Sequence, residues 1–527
     1  MMRATPRSLR GMVSAPHHLA AQAGRDVLAD GGSAVEAAVA TAACLAVVYP
    51  HMTGIGGDGF WLVAEPDGRS WAIDGCGAAA LAADRALYRD HATIPWRGPL
   101  AANTVAGTVA GWQAALEHSH ATLPLDRLLR DAIHHARHGV VVTRGGAQVA
   151  SAVFSALRTL PGDYARIFEP DGRPLAEGDL LRQAALATTL ERLAGEGLDG
   201  FYRGTLAQTI ADDLAAVGSP VAAADLAAFA AQAVAPLSVG IEGARLFNLP
   251  PPTQGVASLL ILALFDRLRA AEGEGFDHVH RLVEATKQAF RWRDAHVGDP
   301  ATMAADAQAL LDDGAALDRM AGAIDPARAA PWPHPPALGD TTWFGAADAR
   351  GQVVSCIQST YFEFGSGIVL PQTGIVWQNR GCSFALDGDG PNRLRPGARP
   401  FHTLNPALAR FDDGRVMAYG TMGGEGQPQT QAAVFTRYAL FGAPLQAAVD
   451  APRWLLGRTW GDQSTTLKIE AGFDPALYAQ LAAAGHAVEP VSAWSSMMGH
   501  AGAIVRHPDG VIEGAADPRS DGMVATW

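Results

Sequence analysis

The segment from Pro331 to Ser359 constrains the fold more than any other part of this chain. It begins with a proline-rich loop, PWPHPPALGD, which forms neither a helix nor a central strand because proline lacks a backbone N–H and fixes φ. Two runs rich in Thr, aromatic and β-branched residues follow, separated by the turn-forming residues DARG. The segment therefore predicts a stiff loop that leads directly into a buried β-hairpin.

Thr341 and Thr342 stand at the start of this predicted hairpin, directly after Asp340. A Thr hydroxyl in this position can attack the carbonyl of the preceding residue, so that the chain breaks between Asp340 and Thr341. The new α-amino group then serves as the base for the same hydroxyl, because its unperturbed pKa is about 7.7–8.0. Threonines at a strand start are also ordinary β-forming residues, so the local pattern leaves both interpretations open.

The composition describes a globular chain with ample material for a core. Hydrophobic residues make up 48% of the 527 residues and charged residues 18%, which excludes a disordered chain. The net charge of −13 argues against nucleic acid as the main partner. The cysteines are far apart without CxxC spacing, which predicts neither a disulfide framework nor a zinc site and fits a reducing compartment.

The sequence carries no signal for secretion, membrane insertion or cofactor binding. The N-terminal MMRATPRSLRGMVSAPHH has positive charge but no apolar stretch after it, and the most apolar helix, Ala37 to Tyr49, is short for a bilayer. Walker, HExxH and GxSxG motifs are absent, and the histidines from His134 to His138 have no carboxylate at a useful spacing. We predict a cytoplasmic protein without metal or cofactor, mostly helical between Thr104 and Leu310.

Two glycine-rich turns are candidates for close backbone contacts. Gly54, Gly56 and Gly59 formally satisfy GxGxxG, but a dinucleotide fingerprint follows a strand and opens a helix, whereas this one follows a helix and opens a strand. We therefore predict a tight turn against the core. Gly423 and Gly424 follow a predicted strand and fit either an oxyanion hole, where backbone N–H groups approach a substrate, or an ordinary strand-to-helix turn.

Four segments, in the same order along the chain, carry a family resemblance. They are GMVSAPHHLAAQAGRDVLADGGSAVEAAVATAACLAVVYPHMTGIGGDGFWLV, HRLVEATKQAFRWRDAHVGDP, GDTTWFGAADARGQVVSCIQS, and ARPFHTLNPAL with GTMGGEGQPQTQ. Together they resemble the gamma-glutamyltransferase family of Ntn hydrolases, and the similarity runs from Gly11 onward. The resemblance implies an α+β fold, a four-layer αββα sandwich made from one self-cleaving precursor, although length alone favours several domains.

The resemblance also implies a division of the chain and a set of catalytic residues. A large subunit, residues 1–340, and a small subunit, residues 341–527, are each other's partners, and an oligomer of such heterodimers is left open.

Within the small subunit, Thr341 matches the nucleophile and Ser359 the hydroxyl that hydrogen-bonds it. Gly423 and Gly424 match the oxyanion-hole pair, and Thr342 matches the family's second threonine, whose role is less defined.

The pocket that holds the glutamyl group departs from the family pattern. Cys76 replaces the arginine that holds the substrate α-carboxylate, and Ser383 replaces the acid that holds the α-amino group. Tyr361 replaces an asparagine, and His402 and Thr403 replace paired serines. Recognition of an amino-acid head group needs both charges, because a buried ammonium without its carboxylate partner is costly. We therefore predict that the glutamyl pocket is lost.

Arg380 offers a replacement for the lost charges, because a guanidinium binds a carboxylate through two parallel hydrogen bonds. In this interpretation His402 adds a donor and Tyr361 fills volume. A small anionic amide without an amino group fits these changes, and IPWRGPLAANTVAGTVAGW resembles the family's oxamate amidohydrolase branch. A structural ion pair between Arg380 and a neighbouring acid is the alternative.

Three hypotheses follow for the function. The first is an autoprocessing threonine amidohydrolase that acts on a small anionic amide, specifically oxamate, giving oxalate and ammonia. The second is a gamma-glutamyltransferase or glutathione hydrolase with unfamiliar pocket residues. The third is an inactive homologue kept as a binding protein, and the intact set of Thr341, Ser359, Gly423 and Gly424 argues against it.

Overall fold

The computed structural model describes residues 3–332, 340–457 and 464–527, with the exception of the Asp340 side chain. Most of the proline-rich loop predicted before Asp340 therefore lies outside the described residues. The strands, in chain order, are β1 (Arg7–Ser8), β2 (Gly11–Ala15), β3 (Asp58–Ala64), β4 (Ser70–Gly75), β5 (Val140–Val141), β6 (Leu180–Leu181), β7 (Gln232–Val234), β8 (Leu237–Ile241), β9 (Ala244–Asn248), β10 (Asp340–Asp348), β11 (Val353–Tyr361), β12 (Ala407–Phe411), β13 (Val416–Thr421), β14 (Trp454–Leu456), β15 (Leu467–Glu470), β16 (Val488–Val491), β17 (Ala501–Arg506), β18 (Ile512–Ala516) and β19 (Met523–Thr526).

Helices surround these strands. In chain order they are α1 (His18–Ala29), α2 (Ala34–Val48), α3 (Thr108–His118), α4 (Leu125–His138), α5 (Arg144–Leu157), α6 (Tyr164–Phe168), α7 (Ala184–Glu196), α8 (Thr205–Val217), α9 (Ala223–Ala228), α10 (Gly255–Leu268), α11 (Phe276–His296), α12 (Ala307–Asp312), α13 (Gly314–Gly322), α14 (Gln427–Phe435), α15 (Leu445–Asp450) and α16 (Pro475–Ala483). Short 3-10 turns that matter for the site lie at Arg380–Ser383 and Gly424–Gly426.

Two stacked antiparallel sheets form the centre of the molecule. The first has the strand order β19-β2-β10-β11-β3-β4-β7, and the second has the order β1-β18-β17-β13-β12-β9-β8. Side chains from both sheets, among them Trp343, Ile357, Leu408 and Ile504, form one buried cluster between them. Because side chains alternate across a strand, the neighbours of these residues point outward to the helices.

Helices cover the outer face of each sheet. On the first sheet, Phe344 and Cys356 pack in one core with α1, α2, α3 and α4. On the second sheet, Met417 and Tyr419 pack in another core with α10, α11 and α14. The layers are therefore helix, sheet, sheet and helix, which confirms the α+β, four-layer αββα fold.

The predicted hairpin is confirmed, and it lies in the middle of the first sheet. Strands β10 and β11 pair antiparallel, with β2 and β3 on their outer sides. The Asp348 carboxylate closes the turn by accepting hydrogen bonds from the N–H groups of Gly351, at 3.0 Å, and Gln352, at 3.1 Å. Gly351 has a φ of +105°, a conformation that residues with a Cβ seldom adopt.

Two further expectations from the sequence have different outcomes. The Ser-x-x-Glu pattern of Ser33 and Glu36 predicts a capping box, and helix α2 begins with one: the Ser33 side chain accepts from the N–H of Glu36, and the Glu36 carboxylate accepts from the N–H of Ser33. The expectation of mostly helix between Thr104 and Leu310 is wrong for β8 and β9, which form an edge hairpin of the second sheet. Among the helices in the described ranges, none is long and apolar enough to cross a membrane.

Candidate active site

A β-bulge sets the position of Thr341. Asp340 pairs with Tyr361 and Thr342 pairs with Gln358, so the register shifts and two residues of β11 stand opposite Thr341. A bulge of this kind redirects a side chain out of the regular alternation and is common beside active sites. Thr341 has no exposed surface, so its hydroxyl lies inside the molecule, between the hairpin and the elements described below.

The neighbouring hydroxyl groups have defined partners. The Thr342 hydroxyl donates to the carbonyl oxygen of Gln358 at 2.8 Å and so ties β10 to β11. The Ser359 hydroxyl accepts from the N–H of Tyr361 at 2.7 Å. Both residues are buried and adjoin the bulge that holds Thr341. The role of Ser359 towards the nucleophile stays a prediction.

Gln427, a residue that sequence reasoning missed, contacts Thr341, the predicted nucleophile. Its side-chain Nε2 donates to Thr341 Oγ1 at 3.2 Å. Gln427 begins α14, immediately after the glycine-rich turn that contains Gly423 and Gly424. The signal in the sequence is the polar run QPQTQ directly after this turn, because polar side chains that become buried need hydrogen-bond partners.

The predicted oxyanion turn has the backbone conformation that only glycine adopts easily. Gly423 has a φ of +117° and Gly424 a φ of +52°, both in the left-handed region. At Gly423 a Cβ would stand 3.6 Å from Cα of Gly499, so a second chain segment packs against this turn.

A buried arginine on α11 holds the turn of Gly423 and Gly424 in place through side-chain hydrogen bonds. Arg293 of α11 donates to Glu425 Oε2 at 2.7 Å and to Gln254 Oε1 at 2.8 Å. Gln254 Nε2 in turn donates to the carbonyl oxygen of Gly424 at 2.8 Å. Because the turn is held through both its side chain and its backbone, its N–H groups have a fixed direction, as an oxyanion hole requires.

Arg380 is fully buried, and its guanidinium is only partly hydrogen-bonded. Its Nη2 donates to Thr403 Oγ1 at 3.0 Å, and its Cζ lies 3.4 Å from the centre of the Tyr361 ring. Its Nε and Nη1 have no hydrogen-bond partner in the described part of the chain. Burial lowers the pKa of Arg380, while Tyr361 and Asp58 oppose that shift.

The alternative interpretation, a structural ion pair, finds no support. No carboxylate in the described ranges forms an ion pair with Arg380; the nearest electrostatic partner, Asp58, is bound elsewhere, as described below. Tyr361, which supports the guanidinium, has a φ of +83°. A non-glycine residue seldom adopts this conformation, and strain of this kind concentrates at functional sites.

Asp58 is a second residue that sequence reasoning missed. It is the first residue of β3 and follows the glycine-rich turn, in which a Cβ on Gly57 would stand 2.1 Å from the carbonyl oxygen of Ser359. The predicted tight turn is therefore confirmed, and it brings Asp58 beside the hairpin. Burial raises the pKa of Asp58 to about 7, against the effect of its hydrogen bonds and of Arg380. The donors to its Oδ1 are Gln378 Nε2 and the N–H groups of Gly77 and Gly107.

His402 hydrogen-bonds to Asp58, and this corrects its expected role as a donor to the substrate. Its Nε2 lies 3.0 Å from Asp58 Oδ2, and its Nδ1 accepts from the N–H of Leu404 at 3.3 Å. Because an N–H donor faces Nδ1, the proton of the neutral ring is on Nε2. Burial lowers the pKa of His402 well below its usual value. Both ring nitrogens are used inside the protein, so His402 does not offer the substrate a donor.

Cys76 and Ser383 stand at the two positions where the family pattern has charged residues. Neither is charged; Cys76 is buried and Ser383 is half-buried. The thiol of Cys76 faces the carbonyl oxygens of Gly77, at 3.8 Å, and Pro400, at 3.9 Å. Burial raises the pKa of this thiol well above its usual value, so it stays protonated. The Ser383 hydroxyl donates to the carbonyl oxygen of Phe401 at 3.1 Å.

Two buried groups contain metal-ligating residue types, and both are already hydrogen-bonded internally. In the group of Asp58, Cys76 and His402, the first and third bind each other. In the second group, which also contains Glu284, His280 Nδ1 and His486 Nε2 lie 2.8 Å apart. We assign neither as a metal site, because the lone pairs that a metal needs are used by protein donors.

Comparison with known proteins identifies the family of the chain. The family model described as gamma-glutamyltranspeptidase matches residues 20–527. The chain belongs to this family. It is 52% identical over 530 residues to the oxamate amidohydrolase proenzyme of Klebsiella pneumoniae subsp. pneumoniae, with 100% of both chains covered. It is 39% identical over 516 residues to the glutathione hydrolase-like YwrD proenzyme of Bacillus subtilis, with 97% of each covered.

Among solved structures, the cephalosporin acylase from Bacillus halodurans has the same fold, with a TM-score of 0.92 at 32% identity. The match covers 100% of this chain and 97% of that one. The chain is therefore an enzyme, an amidohydrolase of the gamma-glutamyltranspeptidase family.

Proposed function

We propose that this enzyme is an autoprocessing threonine amidohydrolase that converts oxamate and water to oxalate and ammonia. The observation that carries the proposal is Arg380, a fully buried guanidinium with two nitrogens that have no hydrogen-bond partner among the residues that the structure describes. A buried arginine in this condition is costly unless an anion completes its hydrogen bonds. Oxamate supplies a carboxylate directly beside its amide carbonyl.

Processing comes first in this scheme. The hydroxyl of Thr341 attacks the carbonyl carbon of Asp340, the peptide bond becomes an ester, and water releases the Asp340 carboxylate. The products are a large subunit, residues 1–340, and a small subunit, residues 341–527, that begins with a free amine. The β-bulge supports this step because it interrupts the regular pairing of β10 and β11 opposite Thr341.

Catalysis then uses the same hydroxyl. The free α-amino group of Thr341 takes the hydroxyl proton while the oxygen attacks the oxamate amide carbonyl. The N–H groups of Gly423 and Gly424 bind the negative oxygen that develops. The ammonium passes its proton to the leaving nitrogen, ammonia departs, and water hydrolyses the oxalyl ester to release oxalate. The proton released when the new carboxyl group of oxalate ionises converts ammonia to ammonium.

The binding side explains the preference for a small anion. Arg380 presents unpartnered N–H groups, and Tyr361 fixes the plane of the guanidinium from one face. Each hydrogen bond to a charged group contributes about 1.5–3 kcal/mol. Thr403 accepts one of the two N–H groups of Nη2, which leaves the other, together with the neighbouring N–H of Nε or Nη1, for the two oxygens of the substrate carboxylate. The name of the 52% identical relative supports the same substrate.

A gamma-glutamyl substrate is the second candidate, because other relatives are named glutathione hydrolases. Such a substrate carries an ammonium and a carboxylate on one carbon and needs opposite charges around them. The buried thiol of Cys76 and the hydroxyl of Ser383 supply neither, so this candidate is disfavoured. We further propose a cytoplasmic location, which the free cysteines fit.

A comparison of two substrates tests the proposed function. Purified enzyme is given oxamate, with ammonia release measured, and gamma-glutamyl-p-nitroanilide, with p-nitroaniline release measured. We expect kcat/KM for oxamate to exceed that for the glutamyl compound by several powers of ten, since two charged contacts are missing. Efficient turnover of the glutamyl compound together with no ammonia from oxamate would contradict the proposal.

A further inference from the structure

The orientation of Gln427 is imposed by a chain of buried hydrogen bonds that begins at a backbone carbonyl. Asn405 Nδ2 donates to the carbonyl oxygen of Thr403 at 2.9 Å and also to Gln427 Oε1 at 3.0 Å. Ser258 Oγ donates to the other end of the Asn405 amide, Oδ1, at 2.7 Å. Asn405 and Gln427 have no exposed surface.

This chain decides which end of the Gln427 amide faces the nucleophile. A backbone carbonyl only accepts, so the NH₂ group of Asn405 must point to Thr403. The same NH₂ group then faces the oxygen of Gln427, which turns the NH₂ group of Gln427 towards Thr341. The contact of 3.2 Å between Gln427 Nε2 and Thr341 Oγ1 is therefore an N–H donated to the hydroxyl oxygen.

A donor in this place has two chemical consequences. It accounts for one lone pair of the hydroxyl oxygen, while the attack itself uses the other lone pair and passes the O–H proton to the base. It also stabilises negative charge on this oxygen when the proton leaves, and again when the oxygen is expelled from the ester intermediate.

We propose that Gln427 is a further catalytic residue, whose amide N–H binds the reacting oxygen of Thr341 during both self-cleavage and hydrolysis. Asn405 is its positioning residue. The inference rests on the proposed role of Thr341 as the nucleophile, and it adds an interaction separate from the one between Gly423, Gly424 and the substrate oxygen.

Two substitutions remove the donor in different ways. Gln427→Met keeps the volume and removes all hydrogen bonds, whereas Gln427→Glu keeps the oxygen that Asn405 binds and replaces only the NH₂ group. We expect both to lower kcat for oxamate by roughly 10- to 100-fold. KM should change by less than about threefold, because Arg380 and not Gln427 binds the substrate.

Gln429 provides a matched control on the same helix. It is equally buried, but its amide bonds the backbone of Leu456 through both ends, at 2.8 and 3.1 Å. Gln429→Met should therefore lower stability in the same way as Gln427→Met while kcat per processed molecule stays within about twofold of the wild type. Thermal melting of all variants compares their stability.

Self-cleavage gives a readout that is independent of the substrate. Because processing uses the same oxygen of Thr341, both Gln427 variants should accumulate uncleaved precursor, which intact-mass analysis over time detects. Asn405→Asp cannot donate to Gln427 and should reproduce part of the kcat loss with Gln427 still present. Combined with Gln427→Met it should add little, since both act through one contact.

The outcomes separate this inference from the proposed function. If wild type cleaves itself but ignores oxamate, the substrate is wrong, and slower cleavage in the Gln427 variants still supports the inference. If both Gln427 variants process and turn over within threefold of the wild type, Gln427 is structural and the inference is overturned. A raised KM with unchanged kcat also overturns it.

Discussion

The two sides of Thr341 are built differently. On the attacking side, the hydroxyl receives a hydrogen bond from Gln427, and Asn405 and Ser258 hold that amide in turn. On the proposed binding side, Arg380 is fully buried and has two nitrogens without a hydrogen-bond partner within the described ranges. In the function that we propose, the protein supplies the geometry of attack, whereas the substrate supplies the negative charge that Arg380 binds.

The difference has a physical reason. Groups that position a nucleophile act on every substrate and in self-cleavage, so their hydrogen bonds are best completed within the chain. A binding group whose hydrogen bonds are already completed within the protein does not favour one substrate over another. An unpaired buried arginine favours an anion strongly, because the alternative is an uncompensated charge. Asp58, the buried acid near Arg380, is held away from it by four donors, among them His402.

The largest effect is expected from Thr341→Ala, because the attacking side then has no nucleophile. The 55.0 kDa precursor should remain one chain and should hydrolyse no oxamate. Wild-type protein should instead give a fragment that begins at Thr341, as seen by intact-mass analysis. A wild-type preparation that is fully active while uncut would contradict the mechanism.

Arg380→Met separates the two sides of the site. Loss of two charged hydrogen bonds of about 1.5–3 kcal/mol each should lower kcat/KM for oxamate by about 10²- to 10⁴-fold. Self-cleavage should proceed normally, because it involves no substrate carboxylate. Arg380→Lys keeps the charge but not the fork, so we expect a smaller loss, mainly in KM. Steady-state kinetics and gel analysis of processing measure both.

Asp58→Asn tests whether the hydrogen bond between Asp58 and His402 stabilises the binding side of the site. The new NH₂ group would face the N–H of His402, and a change of tautomer there would place an N–H against the N–H of Leu404. One hydrogen bond is lost in either case, which should lower the free energy of unfolding by about 1–3 kcal/mol. Chemical denaturation in a Thr341→Ala background, where the chain stays whole, measures it. If the variant is as stable as its parent, the hydrogen bond between Asp58 and His402 does not stabilise the folded protein.

The smallest expected effect is a loss of stability at acidic pH, and it arises from His278, which belongs to neither side of the candidate site. Burial lowers the pKa of His278 from 6.5 to about 3, while its ring bonds Thr436 and the N–H of Glu274. The unfolded chain takes up a proton below pH 6.5 and the folded chain does not, so stability falls as pH decreases from 6.5 towards 3. The slope is about 1.4 kcal/mol per pH unit for this residue.

Denaturation between pH 7.5 and 4.5 should show this slope, and His278→Gln should reduce it by one proton. An unchanged slope in the variant would mean that His278 is protonated in the folded chain.

Local features of the fold could be predicted from the sequence, and features built from distant segments could not. The capping box of Ser33 and Glu36 and the turn closed by Asp348 depend on residues a few positions apart. Gln427 lies 86 positions from Thr341, so only the folded sheets bring them together. The hairpin of β8 and β9 was missed although its strands alternate buried and more exposed residues, because each strand has only five residues and the segments on both sides of the hairpin are mainly helical.

The same distinction applies within the candidate site. The family resemblance pointed to Thr341, Gly423 and Gly424, which belong to recognisable motifs. Nothing in the sequence linked Asp58 to His402, 344 positions away, and so the interpretation of the pocket around Arg380 gave His402 a donor role towards the substrate that its hydrogen bonds do not allow. Side-chain partners decide such roles, and sequence patterns do not contain them.

The central claim is that Arg380 binds the substrate carboxylate, and a cycle of two substrates and two enzymes tests it most directly. Oxamide has almost the same shape as oxamate but carries a neutral amide in place of the carboxylate. Wild type should prefer oxamate over oxamide in kcat/KM by about 10²-fold or more, and in Arg380→Met this preference should fall to nearly one. If Arg380→Met keeps the wild-type preference, the anion is bound elsewhere and the account is wrong.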